Sequence, residues 1–298
     1  MENFLVEIGG FAFPIRLPGR GFRLEENYLP FLVDRDGDGT PGWLVRREEI
    51  PGDLESPAPV IPPFPRWEVE RRGEEKIFRV RKQADSPRLW KAARLVPDLS
   101  RGVIWNARTD EENIFPLREL DQLLFAHFLL SRRGLIIHGA AGELGGKGYI
   151  FPAPAGGGKS TWAELMKVIP DWTVLGEDKI ILRITDGQIR IFGTPWNPRR
   201  GFRRNASAPL KGIFFLEHSP GNYLRRLRKA EVIAGLLRQA FLPFPAAADL
   251  DGAVALLEDV VRRIPAFNFG FRPDNGALDY FRGAIGEKAK NERGGRRR

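Results

Sequence analysis

Cysteine is absent from the 298-residue chain, which excludes disulfides, thiolate nucleophiles and cysteine–zinc sites. No uninterrupted apolar run reaches about 18 residues, so no transmembrane helix and no membrane partner are expected. The opening residues, MENFLVEIGGFAFPIRLPG, lack a basic stretch followed by a sustained apolar core, so they do not read as a signal peptide. Histidine is scarce, at three residues, and any histidine inside a motif therefore stands out. The default expectation is a soluble cytoplasmic protein, sized for one large domain or two modest ones.

What is present is ordinary for a globular chain: 42% hydrophobic and 29% charged residues. The net charge is +9, from 47 basic and 38 acidic residues. Part of the excess is local, because the terminal EKAKNERGGRRR holds six basic and two acidic residues. Residues 286–298 read as a disordered, solvated basic tail, with nucleic acid not the expected partner.

Two textures divide the chain. Residues 1–115 alternate short apolar segments (FLVEIGGFAFPI, GWLVRREEI, WEVERRGEEKIFRVRK, GVIWNA) with Gly, Pro and Asp clusters, the pattern of antiparallel hairpins. This region reads as a β-rich recognition or accessory domain. SPAPVIPPFPR within it reads as an extended loop. From Pro116 the period changes: Leu117, Leu120, Leu123, Leu124, Phe128 and Leu129 follow helix spacing up to Gly134. LIIHGAAG and KGYIFP then form a strand–turn–strand through ELGG, and a helix over Thr161–Val168 follows. WTVLGEDKIILRI and QIRIFGT read as strands, with a turn at TDGQ. Lys229–Gln239 and Leu250–Arg263 read as amphipathic helices, and AFNFGFRPD as an edge or final strand.

The stretch Phe151–Thr161, FPAPAGGGKST, carries the chemistry. Glycines let a chain curl until several backbone N–H groups face anionic oxygens, and a following helix adds its positive end. The pattern G-x-x-x-x-G-K-[ST] is met at Gly158, Lys159 and Ser160, with Ala153 in place of the first glycine. Ala155, Gly156, Gly157, Gly158, Lys159, Ser160 and Thr161 are the candidate phosphate-binding residues. Lys159 would reach the β- and γ-phosphates and Ser160 would ligate Mg²⁺. Glu177 and Asp178 follow a strand 18 and 19 residues after Lys159. One carboxylate near the phosphates can hold the metal and an adjacent one can take a proton from an attacking hydroxyl. They share a site only where the chain turns, which Gly176 permits. The plainer alternatives are a flexible glycine-rich turn and an exposed acidic turn.

Taken together, HGAAGELGGKGYIFPAPAGGGKST and VLGEDKIIL resemble the nucleotide-binding core of HPr kinase/phosphorylase, which is shared with ATP-dependent phosphoenolpyruvate carboxykinase. The later segments GTPW, SAPLKGIFFLE and GNYLRRL are similar to those of HPr-kinase-like serine kinases, and the likeness spans roughly residues 117–285. The resemblance implies an α+β protein. In it the N-terminal β-rich domain precedes a P-loop kinase domain at 116–285, a mixed sheet with flanking helices. It also implies ATP and Mg²⁺, with Ser160, Glu177 and Asp178 as metal partners. Asp178 or Glu177 would be the catalytic base, with His138 beside them. The implied activity is transfer of the γ-phosphoryl group to a hydroxyl, the Ser or Thr of a peptide or protein.

Three departures qualify the likeness: Glu177 stands where the family has aspartate, Ala153 replaces a glycine, and the family's Glu-Ile-Arg-Gly signature is reduced to PRRGFRRN. Arg199, Arg200, Arg203 and Arg204 in that segment are candidate substrate clamps, with a solvated basic loop as the alternative. A catalytically inactive nucleotide-binding module, a carboxykinase-like reaction and a free-serine phosphotransferase stand as alternative functions. Asp34, Asp36, Asp38 and Gly39 fit half a calcium loop, but Val45 occupies the position of the bidentate glutamate, so a hairpin turn is expected.

Overall fold

The structure, a computed structural model, describes residues 2–17, 23–34, 42–46, 48–55, 66–83, 86, 88–107, 114–115, 119–197, 202–242 and 247–286. The calcium-like turn and the proline-rich stretch lie largely outside the described residues, as do residues 287–298, Arg199 and Arg200.

Alternating apolar residues build β1 (Glu2–Ile8), β2 (Phe11–Leu17), β3 (Arg23–Leu24), β4 (Trp43–Arg46), β5 (Trp67–Arg72), β6 (Glu75–Val80), β7 (Lys91–Leu95), β8 (Gly102–Asn106) and β9 (Ile114–Phe115). A seven-stranded sheet runs in the order β1-β2-β4-β8-β7-β6-β5, and β3 pairs with β9. The expected hairpins are present, but β4 lies parallel to both β2 and β8. This corrects the purely antiparallel expectation. β4 reaches both neighbours through long connections, and only a long connection can bring the chain back in the same direction.

The remaining chain forms α1 (Glu119–Leu130), β10 (Gly134–Leu144), β11 (Lys147–Pro152), α2 (Lys159–Lys167), β12 (Trp172–Gly176), β13 (Lys179–Thr185), β14 (Gln188–Phe192), β15 (Ser207–His218), β16 (Tyr223–Arg226), α3 (Lys229–Gln239), α4 (Ala247–Arg263), β17 (Ala266–Phe271) and α5 (Asn275–Ala284). Gly145 and Gly146, both at positive φ, close the two-residue turn between β10 and β11. The eight-stranded sheet runs β11-β10-β13-β14-β15-β17-β16, β12 adds to β10, and β11 also pairs with β15. The long strands β10 and β15 change partners along their length, which curls the sheet around β11. β17 is the last strand in the chain but lies inside the sheet, between β15 and β16. The edge is taken by β16, whose side chains YLRR are largely exposed, because a row of arginines tolerates water and the phenylalanines of β17 do not.

The protein is therefore α+β, with two mixed sheets and helices packed on them. α2 and α5 cover one side of the second sheet through Phe151, Trp162, Phe269 and Phe281, while α3 and α4 cover the other through Ile150, Leu236 and Leu257. α1 is apolar around most of its circumference because it is enclosed. Its Phe125 ring lies 4.7 Å from Phe13, 5.1 Å from Trp43 and 5.3 Å from Trp196. One core thus joins the first sheet, α1 and the segment after β14. Each fully buried large side chain of this kind contributes about 1.5–3 kcal/mol.

Candidate functional site

β11 ends at Pro152 and α2 starts at Lys159, so the glycine-rich stretch is a loop between strand and helix. Gly156 (φ 75°) and Gly158 (φ 89°) take the left-handed backbone that glycine allows. Gly158 is the N-cap of α2, and no side chain caps that turn, so its first N–H groups stay directed at the loop. Ala153 faces the core and is 2% exposed. A Cβ on Gly157 would fall 2.8 Å from the Ala153 methyl, so the loop keeps one small side chain at its entrance and none opposite. Ala155, Ser160 and Thr161 are exposed, while Trp162, Ala163 and Met166 bury the opposite face of α2.

Lys159 is buried, and its Nζ donates to the carbonyl oxygens of Ala153 (2.9 Å) and Pro154 (2.7 Å). Burial lowers its pKa, and the charges of Asp178 and Glu177 oppose that shift. Each carboxylate is therefore close enough to act on the charge of the lysine.

The acidic pair forms the bend between β12 and β13. Asn197 shapes it: its Oδ1 accepts the backbone N–H groups of Glu177 (3.0 Å), Asp178 (3.0 Å) and Lys179 (3.4 Å). Its Nδ2 donates to Thr194 O at 2.9 Å, and Thr194 Oγ1 donates to Lys179 O at 2.7 Å. This bend is what breaks the opposite-face alternation of an extended strand. Glu177 is buried at 2% exposure. Asp178 lies beside β10, where its carbonyl accepts Gly139 N–H at 2.9 Å and its Oδ1 lies 2.6 Å from His138 Nε2. Lys179 Nζ donates to the other oxygen at 2.8 Å. Burial raises the Asp178 carboxyl, but hydrogen bonds from His138 and Lys179 outweigh it and hold the group well below the usual carboxylate range.

The structure thus brings His138, Lys159, Glu177 and Asp178 to one end of the second sheet. It also adds residues the sequence did not single out. Thr194 lies inside the GTPW segment and Asn197 directly follows it, but neither carries a motif that marks this role. Lys179 could have been suspected as the neighbour of Asp178. His218 ends β15, and its Nε2 lies 3.0 Å from Gly156 O, which ties the glycine loop to that strand. Of the arginine segment, Arg204 is exposed and Arg203 turns inward, its Nε donating to Asn197 O at 2.6 Å.

A second network lies directly behind. Trp196 Nε1 donates to Asp121 Oδ2 at 2.8 Å and lies 3.0 Å from Tyr28 OH, which itself donates to Asp121. Burial pushes the Asp121 carboxyl up to about 6, against the hydrogen bonds from Tyr28 and Trp196. Burial, then the Asp121 charge, raises the Tyr28 hydroxyl well above its ordinary value.

Among the described residues no group of three or more His, Asp or Glu side chains forms a ready-made metal cage. Magnesium rarely uses one: it takes one or two carboxylates together with phosphate oxygens and water. Ser160, Glu177 and Asp178 offer only oxygen donors, which suits that cation. No helix among the described residues is long and apolar enough to cross a membrane. In comparison with known proteins, no family model and no curated protein matches the chain.

Proposed function

We propose that this protein is an ATP- and Mg²⁺-dependent kinase that transfers the γ-phosphoryl group to a hydroxyl, the Ser or Thr of a peptide or protein. The observation that carries this reading is the convergence of Lys159, at an uncapped helix N-terminus behind a glycine loop, with the His138–Asp178 pair. The loop N–H groups and the Lys159 ammonium hold the phosphates. Ser160 and Glu177 are the residues that would hold Mg²⁺, which neutralises phosphate charge when bound, leaving Asp178 to the acceptor.

In the transfer, the acceptor oxygen forms a bond to the γ-phosphorus. The bond from that phosphorus to the bridging oxygen breaks, and its electron pair leaves with ADP. The acceptor proton passes to the His138–Asp178 pair. Hydrogen bonds from His138 and Lys179 keep Asp178 an anion that orients the hydroxyl, so the transfer rests on positioning and charge more than on proton abstraction.

The test uses γ-labelled ATP with Mg²⁺ and serine-containing peptides, proteins and free serine, comparing the wild type with Asp178→Ala. Transfer by the wild type and its loss in the variant support the kinase. Binding of ATP without transfer to any acceptor would leave a non-catalytic nucleotide-binding module.

A further inference from the structure

A cavity of about 620 Å³ lies against the entrance of the glycine loop. That volume is in the range of ligand pockets. Its apolar floor includes Pro152, Phe215 and Gly235. Gly235 keeps α3 close to the sheet, since a Cβ there would lie 2.6 Å from the Phe215 ring.

Two features tie the cavity to phosphoryl transfer. Ala153 and Pro154 line it, and their carbonyls are the ones that hold Lys159 Nζ, the group that marks the γ-phosphate end of the loop. Its far wall, Arg238 and Gln239, belongs to the end of α3. Just beyond, Ala240 bridges to Ile137 and Phe241 N–H donates to Ile136 O, which fastens that end to β10 immediately before His138.

The charge of the cavity is one-sided. Arg225 and Arg238 face it together with one acid, Glu231. Glu231 is already committed: it accepts Arg228 N–H at 2.9 Å, Arg228 Nε at 3.1 Å and Arg225 Nη1 at 3.3 Å. Those partners, the Arg228 backbone N–H first, hold its carboxyl down to about 2. Arg238 is exposed and has no ion pair among the described residues.

We infer that this cavity docks the acceptor, and that the acceptor is an acidic peptide segment flanking the Ser or Thr that receives the phosphoryl group. The inference rests on the kinase reading for its chemistry, but docking itself can be measured without turnover. An acidic side chain pairs with Arg238 at the rim while the hydroxyl lies toward Lys159 and His138.

The experiment compares three fluorescein-labelled peptides, EEESEEE, QQQSQQQ and KKKSKKK, by fluorescence anisotropy and as acceptors of label from γ-labelled ATP. ATP affinity is measured in parallel, on wild type and Arg238→Glu. The expected result is preferential binding and labelling of the acidic peptide by wild type. Arg238→Glu should weaken that preference by roughly tenfold, shift it toward the basic peptide and leave ATP affinity unchanged. The preference should also shrink in high salt.

Equal binding of the three peptides, an unaltered preference in Arg238→Glu, or labelling of free serine alone would overturn the docking assignment while leaving the kinase standing. Selective acidic-peptide binding without ATP binding would do the reverse, removing the kinase and keeping the dock.

Discussion

Trp196 Nε1 donates to Asp121 Oδ2 at 2.8 Å, and the next residue along the chain, Asn197, accepts the N–H groups of Glu177 and Asp178. A carboxylate on α1 is therefore one residue removed from the group that shapes the acid bend. Tyr28, from the N-terminal region, completes the network. The first sheet and the acid bend are in this way mechanically linked through buried polar contacts, beside the aromatic packing of Phe125 and Trp196.

Asn197→Ala removes the acceptor of three backbone donors, two of them at 3.0 Å. Leaving such donors unmet costs about 1–3 kcal/mol. We expect a drop of that size in urea denaturation and a fall in phosphoryl transfer at unchanged ATP affinity. Loss of stability with full transfer would show that the bend does not need Asn197 for its geometry.

Asp121 gives the protein a pH signature. Its folded pKa of about 6 lies above an unfolded value of about 3.9, so its contribution is complete below pH ~3.9 and is lost as pH rises through about 6. The loss is on the order of 3 kcal/mol. Asp121→Asn keeps an oxygen for Trp196 and Tyr28 but does not titrate. Denaturation from pH 4 to 7 should therefore show the wild type losing stability relative to the variant, and parallel curves would refute the assignment.

Lys159→Ala should spare the fold and harm the site. Its two hydrogen bonds go to carbonyls of the loop, so the denaturation midpoint should move little. Charge-assisted bonds to phosphate are each about 1.5–3 kcal/mol, so ATP affinity should fall by roughly tenfold to a hundredfold. Equilibrium dialysis with labelled ATP reads this directly.

Gly158→Ala places a side chain where φ is 89° and where a Cβ would meet Phe271 Cζ at 2.9 Å. The backbone term alone is about 1–2 kcal/mol. Both stability and ATP affinity should decline, whereas Gly286→Ala, also at positive φ but with no atom within 4 Å, should reduce stability alone.

Much of the local structure was legible before the tertiary fold. The helix spacing beginning at Leu120, the glycine turn at Gly145–Gly146 and the helix after Gly158 all appear within a few residues of where the pattern puts them. α2 begins two residues earlier than expected because Lys159 and Ser160 already take helical geometry beyond the glycine cap. The loop, His138 and the acidic pair were likewise visible as motifs. The parallel placement of β4 was not, since nothing in WLVR distinguishes a strand with parallel neighbours from one with antiparallel ones. Nor was the interior position of β17, which depends on β16 arriving at its outer side.

The sequence by itself determined the pieces: a curling glycine loop ahead of a helix, two adjacent carboxylates after a strand, and a histidine closing an apolar run. Each depends on near neighbours and on backbone preference, which a linear reading captures. Only the tertiary structure decided that Asn197 bends the acidic pair, that His138 meets Asp178 across 40 positions of chain, and that Tyr28 reaches Trp196 across 168. Those contacts depend on which strands lie side by side and on the shared core that fixes α1 between the sheets. That arrangement minimises exposed apolar surface over the whole molecule, a global condition that no short stretch encodes.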